Sequence, residues 1–244
     1  MPRLSKKVGL ITGANKGIGF EVARQIGRTG VIILLGARNK RAGEKAAAAL
    51  SGEGLAAHFI AIDVADRDSV VAAAAAIKSE FGRLDILVNN AGIGDSADGA
   101  APTARLDAVE RILRTNFLGA LAVTQAMLPL LRKAPSARIV NVSSGLGSLA
   151  QNGDLDHPAV ATKLIGYSAS KAALNMLTVQ LAYLLRKTAI KVNSADPGYT
   201  ATDLNGHSGP QTIPEGAAEP VRLALLPGDG PTGTYSDSRG IVPW

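Results

Sequence analysis

The chain has 244 residues, 46% of them apolar, which is enough to build one α/β domain around a large core. This single domain is predicted to span residues 1–244. The absence of cysteine excludes disulfides and thiolate metal sites. The excess of Lys and Arg (26) over Asp and Glu (20) includes no dense basic cluster with interleaved aromatics, so no nucleic-acid partner is expected. Without a run of ~20 apolar residues or a signal-peptide stretch in residues 1–7, we expect a cytoplasmic protein with no membrane association.

Short apolar runs alternate with longer helical patterns along the chain. Their continuous Val/Ile/Leu character is typical of strands buried on both faces, as in a parallel sheet. The predicted strands are 8–11, 31–35, 58–62, 86–88, 138–142 and 190–192. Apolar residues at helical spacing predict helices at 16–28, 40–50, 67–81, 107–133 and 167–187. The pattern predicts a single Rossmann-like, doubly wound parallel sheet of about seven strands with helices on both faces.

Two segments read as irregular, namely residues 93–106 and residues 199–216. In a doubly wound sheet the loops beyond the carboxyl ends of the strands build the binding site. The second segment is therefore a candidate lid. Its composition fits an ordinary surface loop equally well.

The first strand runs into Thr12-Gly-Ala-Asn-Lys-Gly-Ile-Gly19. Glycines at this point allow a tight turn and a close approach to a pyrophosphate, which the helix N-terminus favours through its free N–H groups and positive dipole. Between a first strand and a first helix, the motif predicts a dinucleotide site. The alternative is a purely structural strand–helix turn.

The second predicted strand ends at Ala37-Arg38. An acidic residue here is typical of NAD sites, whereas an arginine accommodates a 2′-phosphate. Arg38 can bind the phosphate through two parallel hydrogen bonds, and Lys16 could add a second cation. We therefore predict NADPH over NADH. The alternative is an exposed Arg38 without a ligand.

Tyr167-Ser-Ala-Ser-Lys171 places a phenol and an ammonium one turn apart on a predicted helix. A nearby cation favours the phenolate and is expected to lower the pKa of the phenol, which would make it an acid or base usable near neutral pH. Alone, such a pair is more often a solvated helix face. The nucleotide motif favours the catalytic interpretation.

Together these residues resemble the short-chain dehydrogenase/reductase family. The resemblance extends over nearly the whole chain, through four ordered motifs: 12–19, Asn89-Asn-Ala-Gly92, Tyr167–Lys171 and Pro197-Gly198. Within the family the chain is most similar to NADPH-dependent carbonyl reductases, on the glycine motif, on Ala37-Arg38 and on the tail with Gly233-Thr-Tyr. The resemblance implies cofactor contacts by Gly13, Asn15, Lys16, Gly17, Ile18, Gly19, Arg38, Asp63, Val64, Asn90, Ala91, Gly92, Tyr167, Lys171, Pro197, Gly198, Thr200 and Thr202.

The resemblance also implies catalytic roles. Tyr167 would be the acid/base, Lys171 would bind the nicotinamide ribose and lower the pKa of the tyrosine, Ser144 would hold the substrate oxygen, and Asn116 would anchor a relay water. Ser143 is the weaker candidate for the serine role, since adjacent side chains on a strand end diverge. Structural hydrogen bonding is the alternative for the asparagines, Asn90 and Asn116, and a helix cap or turn is the alternative for Asp63.

Ser144 and Tyr167 are 23 positions apart, a longer gap than is usual in the family. Residues 145–166 could cover the pocket or block the helix pairing through which relatives oligomerise, so monomer and homo-oligomer both stay open. The segment contains His157, a weaker candidate for a catalytic base. No second histidine or cysteine stands at metal-ligand spacing, so no metal is expected.

The resulting hypothesis is an oxidoreductase that reduces ketone, aldehyde or quinone carbonyls with NADPH. One alternative uses the same residues for NADP-dependent alcohol oxidation or 3-ketoacyl reduction. Another is a non-catalytic protein that senses NADP(H). The sequence does not identify the substrate, its stereochemistry or the preferred direction of the reaction.

Overall fold

A central sheet forms where the apolar runs lie. The computed structural model describes residues 6–244, without the side chains of residues 159 and 160. The strands are β1 (Val8–Thr12), β2 (Ile32–Ala37), β3 (Ala57–Ala61), β4 (Ile86–Asn89), β5 (Arg138–Val142), β6 (Lys191–Ala195), β7 (Tyr235–Asp237) and β8 (Gly240–Ile241). Their order is β3-β2-β1-β4-β5-β6-β7-β8. Pairing is parallel from β3 to β7, and only β8 is antiparallel. The predicted doubly wound fold is confirmed, with one more strand than expected.

Helices cover both faces of this sheet. They are α1 (Gly17–Gly27), α2 (Lys40–Gly52), α3 (Arg67–Glu80), α4 (Leu106–Leu113), α5 (Ala120–Leu131), α6 (Leu149–Gly153), α7 (Ile165–Leu185) and α8 (Ile213–Ala224). One buried apolar cluster joins the sheet to α3, α5 and α7. A second cluster joins its other face to α1, α2 and α8. Among the described residues, no helix combines the length and hydropathy needed to cross a membrane.

The helix predicted at 107–133 is interrupted. Between α4 and α5, residues Arg114–Gly119 wind as a π-helix. At its end, Gly119 lies so close to Val64 that a Cβ on the glycine would be 2.9 Å from a methyl of the valine. Such π-helical insertions often occur at functional sites. This one turns Asn116 into the protein interior.

The strand order reverses between β1 and β4. The chain moves from β1 to β2 and β3 on one side, and from β4 to β5 and β6 on the other. In open parallel sheets, ligands bind in the crevice that this reversal leaves beyond the carboxyl ends of the strands. The motifs at 12–19, 89–92 and 143–144 all lie at these ends.

Candidate active site

The glycine-rich loop between β1 and α1 fits closely against the end of β4. Gly13 adopts φ +64°, and a Cβ there would be 2.9 Å from the Cα of Ala91. A Cβ on Gly19 would collide with the amide of Asn90. The first turn of α1 has no acidic residue, and no side chain caps its N–H groups. The loop therefore leaves a helix N-terminus free to receive an anion.

Asn90 holds this loop in place. Its Nδ2 donates to the carbonyl oxygens of Thr12 (2.9 Å) and Gly13 (3.2 Å). The Thr12 hydroxyl in turn accepts the backbone N–H groups of Asn90 and Ala91, each at 3.0 Å. The amide of Asn90 thus shapes the cleft wall. Gly92 is on the cleft side, where a Cβ on the glycine would be 3.6 Å from Nζ of Lys171.

The two cations predicted to bind the 2′-phosphate of a dinucleotide, Arg38 and Lys16, are both exposed. Arg38 is exposed at the carboxyl end of β2. Lys16 is also exposed, and its Nζ pairs with Asp203 at 2.5 Å. Thr202 places a methyl 4.0 Å from the Cβ position of Gly17. The segment predicted as a candidate lid therefore lies across the glycine-rich loop and is tied to it by an ion pair.

The start of this segment is firmly anchored. Thr200 is buried, and its hydroxyl donates to the carbonyl of Pro197 at 3.0 Å. A Cβ on Gly216 of α8 would collide with that hydroxyl. The Thr200 hydroxyl is thus turned toward the protein, so its predicted cofactor contact would have to come from other atoms. Gly198 is exposed, with φ +70°.

Asp63 and Val64 follow β3 at the same edge of the sheet. One carboxylate oxygen of Asp63 accepts the N–H of Ala65 at 3.0 Å, and its own N–H bonds the Ser69 hydroxyl at 2.9 Å. This is the turn geometry that was the alternative for Asp63, and it leaves the second carboxylate oxygen for a ligand. Asn15 and Ile18 are half-buried in the glycine-rich loop.

The serine, tyrosine and lysine come together beyond β5. Tyr167 and Lys171 lie one turn apart on α7, with Nζ of Lys171 at 5.5 Å from the centre of the phenol ring. The hydroxyl of Ser144 is close enough to the phenol to lower the pKa of Tyr167, and Tyr235 holds the serine backbone by donating a 2.5 Å hydrogen bond to its carbonyl. Ser143 instead directs its hydroxyl to the carbonyl of Lys171. Of the two serines, Ser144 is the one that meets the tyrosine.

Asn116 connects this group to the loop after β4. Its Nδ2 donates to the carbonyl of Ile93 (3.0 Å) and to the hydroxyl of Ser170 (3.1 Å). Its Oδ1 accepts the N–H of Ile93 at 2.8 Å. Both amide protons are therefore occupied. A water could be held only by the remaining acceptor capacity of this residue.

The pKa values of Tyr167 and Lys171 differ from the expectation. Burial raises the pKa of Tyr167 to about 12; the negative charge of Asp196 adds to this, and the bond from Ser144 opposes it. Burial lowers the pKa of Lys171 to about 8, against the attraction of Asp196. The ammonium donates to the carbonyl of Val142 at 2.8 Å, and the causes of the shift in the pKa of Tyr167 are burial, Asp196 and Ser144 rather than Lys171. The predicted lowering of the tyrosine pKa is wrong for this structure, and Tyr167 is protonated at neutral pH.

The segment between Ser144 and Tyr167 packs against the C-terminus. The hydroxyl of Ser148 donates to the carbonyl of Pro243 at 2.6 Å. The N–H of Ala150 donates to the carbonyl of Trp244 at 2.9 Å. The Trp244 ring stacks on Tyr235, with centroids 5.4 Å apart. This interaction supports the wall of the site beside Ser144. The outer face of α7 stays exposed further along, at Met176, Val179 and Tyr183.

Two aspartates near the site have no role in the sequence interpretation. Asp98 accepts the N–H groups of Gly166 and Tyr167, each at 2.9 Å, and so caps α7 from a loop 68 residues away. Asp196 lies at the end of β6 and influences both Tyr167 and Lys171. Neither has a local sequence signal, because the contacts are made between distant parts of the chain.

Comparison with known proteins agrees with this geometry. The family described as short chain dehydrogenase matches residues 7–212. The chain belongs to this family. A short-chain dehydrogenase relative, (−)-isopiperitenone reductase of Mentha piperita, is 34% identical over 94% of this chain and 96% of its own. Carbonyl reductase [NADPH] 1 of Sus scrofa is 33% identical over 98% and 94%.

The solved structures give the same result. Salutaridine reductase of Papaver somniferum superposes with a TM-score of 0.83 at 29% identity, covering 94% of this chain and 99% of that one. The protein is therefore an oxidoreductase of the short-chain dehydrogenase family. The predictions of family and enzyme class are confirmed.

Proposed function

We propose that the protein is an NADPH-dependent reductase of ketone, aldehyde or quinone carbonyls. The observation that carries this proposal is the arrangement of the half-buried Tyr167 one turn from Lys171 on α7, with Nζ of the lysine 5.5 Å from the centre of the phenol ring. The hydroxyl of Ser144 is close enough to lower the pKa of the tyrosine. A phenol placed beside a second hydroxyl can hold a carbonyl oxygen together with it and donate a proton to that oxygen.

The residues at the carboxyl ends of the strands fit NADPH. The cradle at residues 13–19 has room only for glycine beside Asn90 and Ala91, and it leads to a helix N-terminus that favours pyrophosphate. Further contacts are assigned to Asp63, Val64, Asn90, Ala91, Gly92, Tyr167, Lys171, Pro197, Gly198, Thr200 and Thr202. When bound, NADPH supplies the hydride, and the protein orients and protonates the substrate.

Each catalytic side chain has one task in this proposal. Ser144 and Tyr167 hold the substrate oxygen, and Tyr167 gives it a proton from the hydroxyl. Lys171, beside Gly92, binds the ribose of the nicotinamide. Asn116 holds a water that returns a proton to the tyrosine, through acceptor capacity not used by Ile93.

The preference for NADPH rests on charge at the end of β2. Arg38 is exposed there and Ala37 stands where NAD sites place an acid. Lys16 lies on the glycine-rich loop, and its ion pair with Asp203 is exposed on both sides, so it is weak enough to be exchanged for a phosphate. The same preference is supported by the similarity of the chain to a relative from Sus scrofa that is named carbonyl reductase [NADPH] 1.

A turnover assay with both cofactors tests the proposal. We expect oxidation of NADPH in the presence of a panel of cyclic ketones, aromatic aldehydes and quinones, with a higher kcat/KM for NADPH than for NADH. Equal use of NADH would contradict the role of Arg38. Tight binding of NADPH without turnover of any compound, in either direction, would favour a cofactor sensor.

A further inference from the structure

Asp196 has a side chain directed to the catalytic face of the sheet. Side chains alternate along β6. The hydroxyl of Ser194 meets that of Thr178 on α7 at 2.8 Å, whereas Ala195 belongs to the core on the opposite face, with α1 and α8. Asp196 therefore follows Ser194 on the α7 side, which carries Tyr167. It is half-buried.

The carboxylate of Asp196 lies against the turn that follows Ser144. One oxygen accepts the N–H of Gly198 at 2.9 Å. A Cβ on Gly145 would be 3.1 Å from the second oxygen of the carboxylate, and the backbone N–H of Gly145 lowers the pKa of Asp196. Since Gly145 directly follows the serine that would hold the substrate oxygen, the carboxylate borders the space where the carbonyl would bind.

Two cations act on the carboxylate of Asp196, namely Lys171 and Arg239, and each of them has another partner. On α7, the ammonium of Lys171 is bonded to the carbonyl of Val142. On the β7–β8 hairpin, Arg239 pairs with Asp237 at 2.7 Å. Burial raises the pKa of Asp196 and the charge of Asp237 raises it further, whereas the N–H groups of Gly198 and Gly145 and the charge of Arg239 lower it. The charge of Asp196 in turn raises the pKa of Tyr167 and Lys171.

We propose that Asp196 selects substrates by charge, so that the site accepts neutral carbonyl compounds and rejects those with an anionic group next to the carbonyl. This inference rests on the proposed function. Like charges close together in a partly desolvated site repel strongly. A carboxylate on the substrate would meet the carboxylate of Asp196 while its carbonyl occupied Ser144 and Tyr167. An uncharged substrate meets no such repulsion.

The test compares benzoylformate with its methyl ester, two α-keto compounds that differ by one negative charge. Asp196→Asn keeps the shape of the side chain and an oxygen for the N–H of Gly198. We expect the variant to increase kcat/KM for benzoylformate relative to the ester by about 10-fold or more, with KM for NADPH unchanged. Using the ratio of the two substrates cancels their difference in intrinsic reactivity.

Asp107→Asn is the matched control, because it changes the net charge equally on an exposed part of α4. The proposal is overturned if the substrate ratio is the same in wild type and Asp196→Asn, or if Asp107→Asn changes it equally. The same selectivity can be measured without turnover, as the ratio of the Kd values of the two compounds, by calorimetry on the protein saturated with NADP⁺. If the protein showed no reductase activity but its binding still discriminated between the two compounds through Asp196, the proposed function would be wrong and the charge selection by Asp196 would stand.

Discussion

Asp98 is expected to be the main external support of the catalytic helix. The residue before α7, Leu164, provides no side-chain cap. The carboxylate of Asp98 accepts the N–H groups of Gly166 and Tyr167, and also that of Gly99, all at 2.9 Å. Asp98→Ala would leave two N–H groups at the start of α7 without this partner, one of them on Tyr167 itself.

The structure sets the size of this effect. Loss of an N-cap costs about 0.5–2 kcal/mol, and loss of a negative charge at a helix N-terminus costs about 0.3–1 kcal/mol. A total near 2 kcal/mol would lower the Tm by about 4–8 °C for a chain of this length. Small displacements of a catalytic group reduce rates strongly, so we also expect kcat to fall by about 10-fold. KM for NADPH should change less than kcat, because the hydrogen bonds of Asp98 go to Gly99 and to the start of α7 and not to the glycine-rich loop.

Asp95→Ala is the matched control for this prediction. Asp95 lies in the same loop, accepts the N–H of Ala97 at 2.9 Å and pairs with Arg111 at 2.7 Å. Among the described residues it forms no hydrogen bond or ion pair with α7, and partly exposed pairs of this kind contribute about 0–1 kcal/mol. Thermal melting and NADPH oxidation are measured on both variants, and Asp98→Asn should be intermediate. If Asp98→Ala matched Asp95→Ala in both Tm and kcat, the capping argument would be refuted.

Three further predictions concern the cofactor and pH. Arg38→Ala should raise KM for NADPH by about 10-fold and leave KM for NADH unchanged; equal changes for both cofactors would remove Arg38 from phosphate binding. Asp203→Asn frees Lys16 and should tighten NADPH binding about threefold, measured by fluorescence titration, and weaker binding would contradict the exchange. Lys171, with a pKa of about 8, loses its charge above that pH while Tyr167 stays protonated, so kcat/KM should fall above about pH 8. If kcat/KM stayed constant up to about pH 10.4, where a free lysine loses its proton, the role of the lowered pKa of Lys171 would be refuted.

The repeating part of the fold could be predicted from the sequence. Buried strands are marked by their own side chains, and the bounds of the six predicted strands differ from those of β1–β6 by at most two residues, except that β6 extends three residues further than predicted. β7 and β8 were not among them, because strands of three and two residues are too short for a periodic signal. The π-helix at Arg114–Gly119 was also missed, since an extra residue in a helical run depends on tertiary contacts such as that between Gly119 and Val64.

The candidate site was only partly predictable for the same reason. Motifs locate Tyr167 and Lys171, but the pKa of the tyrosine depends on burial and on Asp196, which no local pattern reports. The carbonyl of Val142 that binds the lysine comes from a strand 29 positions earlier. Lys16 was predicted as a phosphate ligand, and its ion pair with Asp203 spans 187 positions.

The proton-donor role of Tyr167 is the central claim, and Tyr167→Phe tests it most directly. Phenylalanine keeps the ring packing on α7 and removes only the hydroxyl that meets Ser144. The measurement is NADPH oxidation with the best ketone of the panel, together with NADPH binding by fluorescence. We expect binding within about twofold of wild type and a loss of kcat of at least about 100-fold, as for removal of a general acid. A variant that binds NADPH normally and reduces the ketone at the wild-type rate would contradict the account.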